Sequence, residues 1–206
     1  MSLATIRTSF LQGSLQELDR FPAEVAARIR ARLGGQAMHT ILSAQEEWLP
    51  VKLDVELTAA IAEEVGVDGA RAWAHATAAA ELQRPLLKPI VGMLRIFGVS
   101  PLGCAKVVPR GWDLIYQGCG RMVREATEGD TALLWLQAPP PALTSCPAYL
   151  EGTAGAMAVL FDLCGVEGEV LLDHVGPDVM FHLRWATETA ALRSTPEVTL
   201  APRAPR

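Results

Sequence analysis

Four histidines and four cysteines hold most of the reactive side chains of this 206-residue chain. Their spacing is sparse. Cys104, Cys119, Cys146 and Cys164 form no pair with the two-residue gap of a zinc knuckle or a redox motif. His174 and His182 fall in adjacent predicted strands, where a shared face could offer two nitrogens to zinc. Zinc wants a third ligand, and Asp173 points away from His174. His75, beside Trp73 on an alanine-rich stretch, reads as a satisfied structural histidine, and His39 stands alone. Cys119 lies between glycines in "YQGCGRM" with only Arg121 near in sequence to lower its pKa, so it reads as a small buried residue. The carboxylates of "QEEWLP" and "AEEVG" are i,i+1 neighbours, which do not face each other on a helix and form no acid/base dyad. No G-x-S-x-G elbow and no phosphate-binding glycine loop is present.

The alternative to catalysis is apolar binding. Residues 86–101, "LLKPIVGMLRIFGVSP", read as a short apolar helix. Ile90, Leu94 and Phe97 make one stripe, and Met93 and Ile96 widen it. Core packing alone explains such a stripe. Bulky Trp112, Met157 and Phe161 elsewhere allow a second reading, a ligand pocket lined by Ile90, Met93, Leu94, Phe97, Trp112, Met157 and Phe161. Such a lining suits a flat or chain-like apolar molecule.

The elements that must position these residues are punctuated clearly. "LDRFPAEVAARIRARLGG" predicts a helix with Pro22 in its first turn, Val25, Ile29 and Leu33 on one face, and Gly34 and Gly35 as the stop. A short helix is expected over 36–47. Another covers 54–65 with Asp54 as its cap, then a break at "GVDG" and a fourth helix. Pro101 begins a helix expected to stop before Pro109. The second half reads differently. "GRMVREATEGDTALLWLQAP" predicts two strands, the second with apolar residues on both faces, which calls for cover on both. Residues 146–164 are the best-defined helix, with Pro147 in the first turn, Gly165 past the end, and small Gly152, Gly155 and Ala156 on one face. "GEVLLDHV" and "DVMFHLRW" are two further strands.

The expected fold class is therefore α+β. An N-terminal helical bundle packs on a four-stranded antiparallel sheet, with a helix between strands two and three. Residues 1–186 are expected to form one ligand-binding-like domain and 187–206, with three prolines, a flexible tail. Half the residues are apolar and 20% charged, enough for a sizeable core. The net charge of −5 argues against nucleic acid as a partner. Arg28, Arg30 and Arg32 read as a solvated face. No membrane span and no secretory signal is evident, so a cytoplasmic protein with reduced thiols is expected.

The order of elements resembles the ligand-binding fold shared by heme–nitric-oxide-binding domains, 4-vinyl-reductase-type domains and TRAPP vesicle-tethering subunits. "LPVKLDVELTAAIAEEVG", "PLLKPIVGMLRIFGVSP" and "VVPRGWDLIYQGCG" are similar to uncharacterised myxobacterial domains of that fold. The resemblance implies an apolar cavity between the last helix before the sheet and the sheet itself. Heme-binding members carry a ligating His on that helix and a Tyr-x-Ser-x-Arg clamp for the propionates. Residues 84–117 contain no His, and "GRMVREATEG" lacks the clamp, so no cofactor is expected and heme is judged against. TRAPP-like members can hold an acyl chain on a Cys, but neither Cys104 nor Cys119 can be matched to it by motif. The expected function is a non-enzymatic sensor or binding module for a small apolar ligand, which relays occupancy to a protein partner. The alternatives are a ligand-free scaffold that forms a homodimer or binds other proteins, and a reductase-like enzyme.

Overall fold

The computed structural model describes residues 3–97, 99–125 and 129–186, the side chains of residues 95–97 excepted. The tail expected over 187–206 lies outside the described residues, as does the side chain of Phe97. The chain begins with a short strand β1 (Thr5–Arg7) and helix α1 (Thr8–Gln16), then α2 (Ala23–Leu33) and α3 (Gly35–Ser43). Strand β2 (Trp48–Pro50) leads into α4 (Lys52–Glu81), followed by α5 (Lys88–Phe97) and α6 (Pro101–Ile115). Strands β3 (Tyr116–Gln117), β4 (Arg121–Glu125) and β5 (Thr131–Gln137) come next. After α7 (Pro141–Thr144) and α8 (Pro147–Cys164) the described chain ends with β6 (Gly168–Val175) and β7 (Asp178–Trp185).

The larger sheet has the order β4-β5-β7-β6 and is antiparallel throughout, with α8 between its second and third strands in sequence. That is the expected α+β arrangement. Its inner face is set by alternation. Ala132, Leu134 and Leu136 of β5 are buried, and Leu134 lies opposite fully buried Phe181 of β7. The outer face departs from expectation. Leu133 and Trp135 remain half-buried, because the helices pack on the inner face. The Trp135 indole reaches Glu125 Oε2 at 2.8 Å along that open side.

Several local expectations are met for their stated reasons. Gly34 ends α2 at φ +86°, Gly165 ends α8 in the left-handed region, and α4 breaks at Gly66, where φ is +79°. Others need correcting. The helix from Pro101 does not stop before Pro109 but runs through it to Ile115. Ser100 Oγ caps its start, accepting from Gly103 N, and buried Val107 and Trp112 hold its far half, which offsets the hydrogen bond the proline forgoes. The helix expected over 36–47 ends at Ser43, before β2. The small sheet β2-β1-β3 was not foreseen, since strands of two or three residues have no periodicity to read. It matters for the site, because fully buried Ile6 of β1 pairs with Tyr116 of β3.

The basic cluster is neutralised. Arg28 and Arg32 pair with Glu64, and Arg32 Nη1 lies 3.0 Å from Glu63 Oε2. His174 and His182 are not cross-strand neighbours. His174 lies opposite Val179 and His182 opposite Leu171, which puts the two rings on opposite faces of the sheet. Among the described residues no cluster of three or more metal-ligating side chains occurs.

Candidate functional site

The site is built around α8. One face of this helix meets α4 at very close range. A methyl added at Gly155 would fall 2.3 Å from the Arg71 carbonyl oxygen, and one at Gly152 would fall 3.3 Å from Thr58 Cγ2. The small residues are therefore a seam. The adjacent face, with Thr153, Ala156, Met157 and Leu160, looks instead toward α6 and the turn before α5. There the packing leaves a cavity of about 150 Å³. Ile90 closes it from α5, and Val107, Val108 and Trp112 from α6.

Of the residues singled out in the sequence, Ile90, Trp112 and Met157 meet in this cavity. Leu94 is buried and Met93 half-buried, but neither is among its lining residues. Phe161 is turned toward the sheet, its ring against Gly168 at the start of β6, so it does not line the cavity either.

A second, smaller chamber of about 50 Å³ adjoins the first, sharing Phe10, Tyr116, Thr153 and Ala156. Its character is polar. Asp54 is not a helix cap. It lies inside α4, only 4% exposed, and Tyr116 donates its hydroxyl to Asp54 Oδ2 at 3.1 Å. Burial pushes the Asp54 carboxyl up to about 6, and Tyr116 and then Tyr149 hold it from rising further. Both tyrosines of the chain thus gather at one carboxylate, and burial raises both phenols well above their usual value. Trp73 Nε1 and Thr77 Oγ1 are buried there without a hydrogen-bond partner in the protein. The Tyr116 ring stacks at a tilt on Trp112, with centroids 4.3 Å apart, so one side chain joins the two chambers.

The thiols stand apart from this chemistry. Burial pushes Cys104 and Cys119 each up to about 12, which makes them poor nucleophiles at neutral pH. Cys104 Sγ lies 3.4 Å from Cys164 Sγ. His75 Nε2 lies 3.0 Å from Asp162 Oδ2 at the outer edge of the α4–α8 seam.

Sequence reasoning missed Asp54, Tyr116 and Tyr149 as a group. The available signal was weak: a buried carboxylate betrays itself only once its distant partners are known. Among the described residues, no helix is long and apolar enough to cross a membrane.

Neither a family model nor a curated protein matches the sequence. Solved structures do match the fold. An unliganded Fe(II) H-NOX protein from K. algicida superposes with a TM-score of 0.59 at 12% identity, covering 88% of this chain and 97% of the other. A variant of Tt H-NOX gives a TM-score of 0.58 at 9% identity, with 88% and 95% covered. A structure from a study of heme distortion in the H-NOX family gives 0.55 at 9% identity, with 88% and 95% covered. The expectation of no cofactor for this chain, with heme judged against, is corrected by these neighbours, which are heme-binding H-NOX proteins and point to heme. The chain has an H-NOX-like fold.

Proposed function

We propose that this chain is a sensor or binding domain, without catalysis of its own, that holds a small uncharged ligand in the cavity between α5, α6 and α8. The supporting observation is the cavity itself, whose apolar walls come from both halves of the chain. A volume near 150 Å³ with Ile, Leu, Val, Met and Trp walls has room for a gas molecule or a benzene-sized body. Among the described residues no nucleophile–base pair lines it. The route for a signal is short. α6 carries Trp112 and runs straight into β3, whose Tyr116 pairs with β1 and bonds to α4. A ligand that moves Trp112 moves that junction, and a protein partner or a second copy of the chain would read it. Kinship with the myxobacterial, 4-vinyl-reductase and TRAPP-type domains belongs to the same proposal and rests on the stretches around residues 49–66, 85–101 and 107–120.

Heme is the cofactor toward which the structural neighbours point. The walls fall short of a porphyrin: the space is benzene-sized, and no histidine lines it among the described residues. Met157 and Tyr116 are the lining side chains of types that ligate heme iron, and Tyr116 is already engaged by Asp54. Titration with hemin, followed by absorbance, tests the loaded form. A Soret band saturating at one equivalent of hemin would show that the walls open to admit it, and free-hemin absorbance alone would confirm the misfit.

The direct test of the cavity is toluene. Saturating toluene should raise the melting temperature of the purified chain by a few degrees through preferential binding to the folded state. No shift, together with no protection of the Trp112 fluorescence environment, would sink the small-ligand reading.

A further inference from the structure

The apolar cavity alone does not account for the chamber beside it. Trp73 and Thr77 are each at most 7% exposed, and each has a polar atom with no partner in the protein. Both line the chamber that also holds Asp54 and Tyr149. Among the described residues Asp54 has no ion-pair partner, and the Tyr116 and Tyr149 hydroxyls beside it leave lone pairs of the carboxylate to satisfy. A buried polar group without a partner is costly, so something mobile must complete this set.

We propose that the two chambers are one site for a small neutral amphiphile, with a benzene-sized body in the apolar chamber and a hydroxyl head in the polar one. The head would accept from the Trp73 indole N–H and donate to the Asp54 carboxylate. The inference rests on the small-ligand reading above and adds the chemistry of the head. The donor and acceptor inventory selects it. The indole N–H can only donate, so an ammonium head leaves it unsatisfied. Asp54 can only accept when ionised, so a carboxylate head is repelled. A hydroxyl answers both. The smaller chamber, about 50 Å³, has room for a few waters at roughly 10–15 Å³ each, and the ligand hydroxyl would displace one of them. Thr153 and Ala156 wall both spaces, which sets the two side by side within the length of one small molecule.

Calorimetric titration of the full chain at pH 7.5 with toluene, benzyl alcohol, benzylamine and sodium benzoate tests it. Benzyl alcohol should bind at least tenfold more tightly than toluene, benzylamine should not exceed toluene, and benzoate should give no heat of binding. In Trp73→Phe the alcohol should fall to within threefold of toluene, with toluene affinity unchanged. Thr77→Val, a milder change at the same chamber, should reduce the alcohol preference in the same direction. Equal binding of toluene and benzyl alcohol would overturn the head-group assignment, leaving the polar chamber to water and the apolar cavity intact. Tightest binding by benzylamine would overturn it in favour of a cation site. Absence of binding by all four, toluene included, would remove the cavity reading and this inference together.

Discussion

The two flanks of α8 are packed by opposite rules. Toward α4 the helix presents Gly152 and Gly155, and at Gly155 the backbones approach until a single methyl has no place. Toward α6 it presents Thr153, Ala156 and Met157, and space remains. One helix is thus both a tight seam and a cavity wall, and the difference shows that the vacancy is not a consequence of poor packing overall. The close approach fixes the spacing of α4 and α8, and no comparable approach is made on the cavity face.

The seam should be the most sensitive place in the molecule. Gly155→Val would put side-chain carbons against the Arg71 carbonyl oxygen, which lies in a helix backbone and cannot yield locally. Separating α4 from α8 would also strain the Arg71–Glu151 pair, Nη1 to Oε2 at 2.6 Å. We expect a loss of about 3 kcal/mol or more, or failure to fold, measured by urea unfolding followed by circular dichroism. A loss below about 1 kcal/mol would show that the seam is soft and dissolve the contrast.

The polar chamber comes next. The folded-state carboxyl of Asp54 sits at about 6 against 3.8 when unperturbed. The folded protein therefore binds that proton more tightly than the unfolded chain. The contribution is fully present below about pH 4 and is lost as pH rises to about 6, a difference of roughly 3 kcal/mol at 1.36 kcal/mol per unit. Asp54→Asn removes the titration. Its stability should change less between pH 4.5 and 7.5 than that of the wild type, and at pH 7.5 it should be the more stable by about 1–3 kcal/mol. Glu81, pushed up to about 7 chiefly by burial, slopes the same way in both proteins, so the variant-minus-wild-type difference is the quantity to compare. Parallel pH curves would show Asp54 to be solvated and the chamber open.

How much of this could be read from the chain differs between the same two regions. β6 and β7 follow from alternation, and their observed bounds, Gly168–Val175 and Asp178–Trp185, coincide with the apolar runs. The ends of α8 follow from Pro147 and Gly165, and the small-residue face forecast a close neighbour, which proved to be α4. A small part of the cavity lining, Ile90, Trp112 and Met157, came from the same kind of reading, as bulky residues on predicted helices. Phe161 misled because spacing gives a face of a helix but not which of two layers that face meets. The polar chamber was illegible. Asp54 and Tyr116 are 62 residues apart, and near a helix start an aspartate has a local use as a cap that competes with any distant role. The persistence of α6 through Pro109 was hidden similarly, since the tertiary burial that offsets the proline is not in the local sequence.

The cavity face predicts a smaller effect. Ala156 walls both chambers, so Ala156→Leu would place new carbons into existing space. Stability should move by less than about 1.5 kcal/mol in either direction, far less than at Gly155 one residue away. Toluene binding should nevertheless disappear from the calorimetric titration. Retained binding at wild-type affinity would mean that the ligand lies elsewhere, and a large destabilisation would mean that the face is as tightly packed as the seam.

The rim of the seam gives the smallest effect and the sharpest boundary. His75 of α4 and Asp162 of α8 meet at 3.0 Å, with the aspartate side chain 64% exposed. An exposed pair of this kind is screened by water and gains little from its geometry. His75→Ala should therefore cost less than about 1 kcal/mol and leave toluene affinity unchanged. It tests whether the hold between α4 and α8 lies in the close approach at Gly155 or in the polar contacts at its edge. A loss near that of Gly155→Val would move the hold to the edge, and the seam would then be secured by its ion pairs, with the glycines merely permitting the approach.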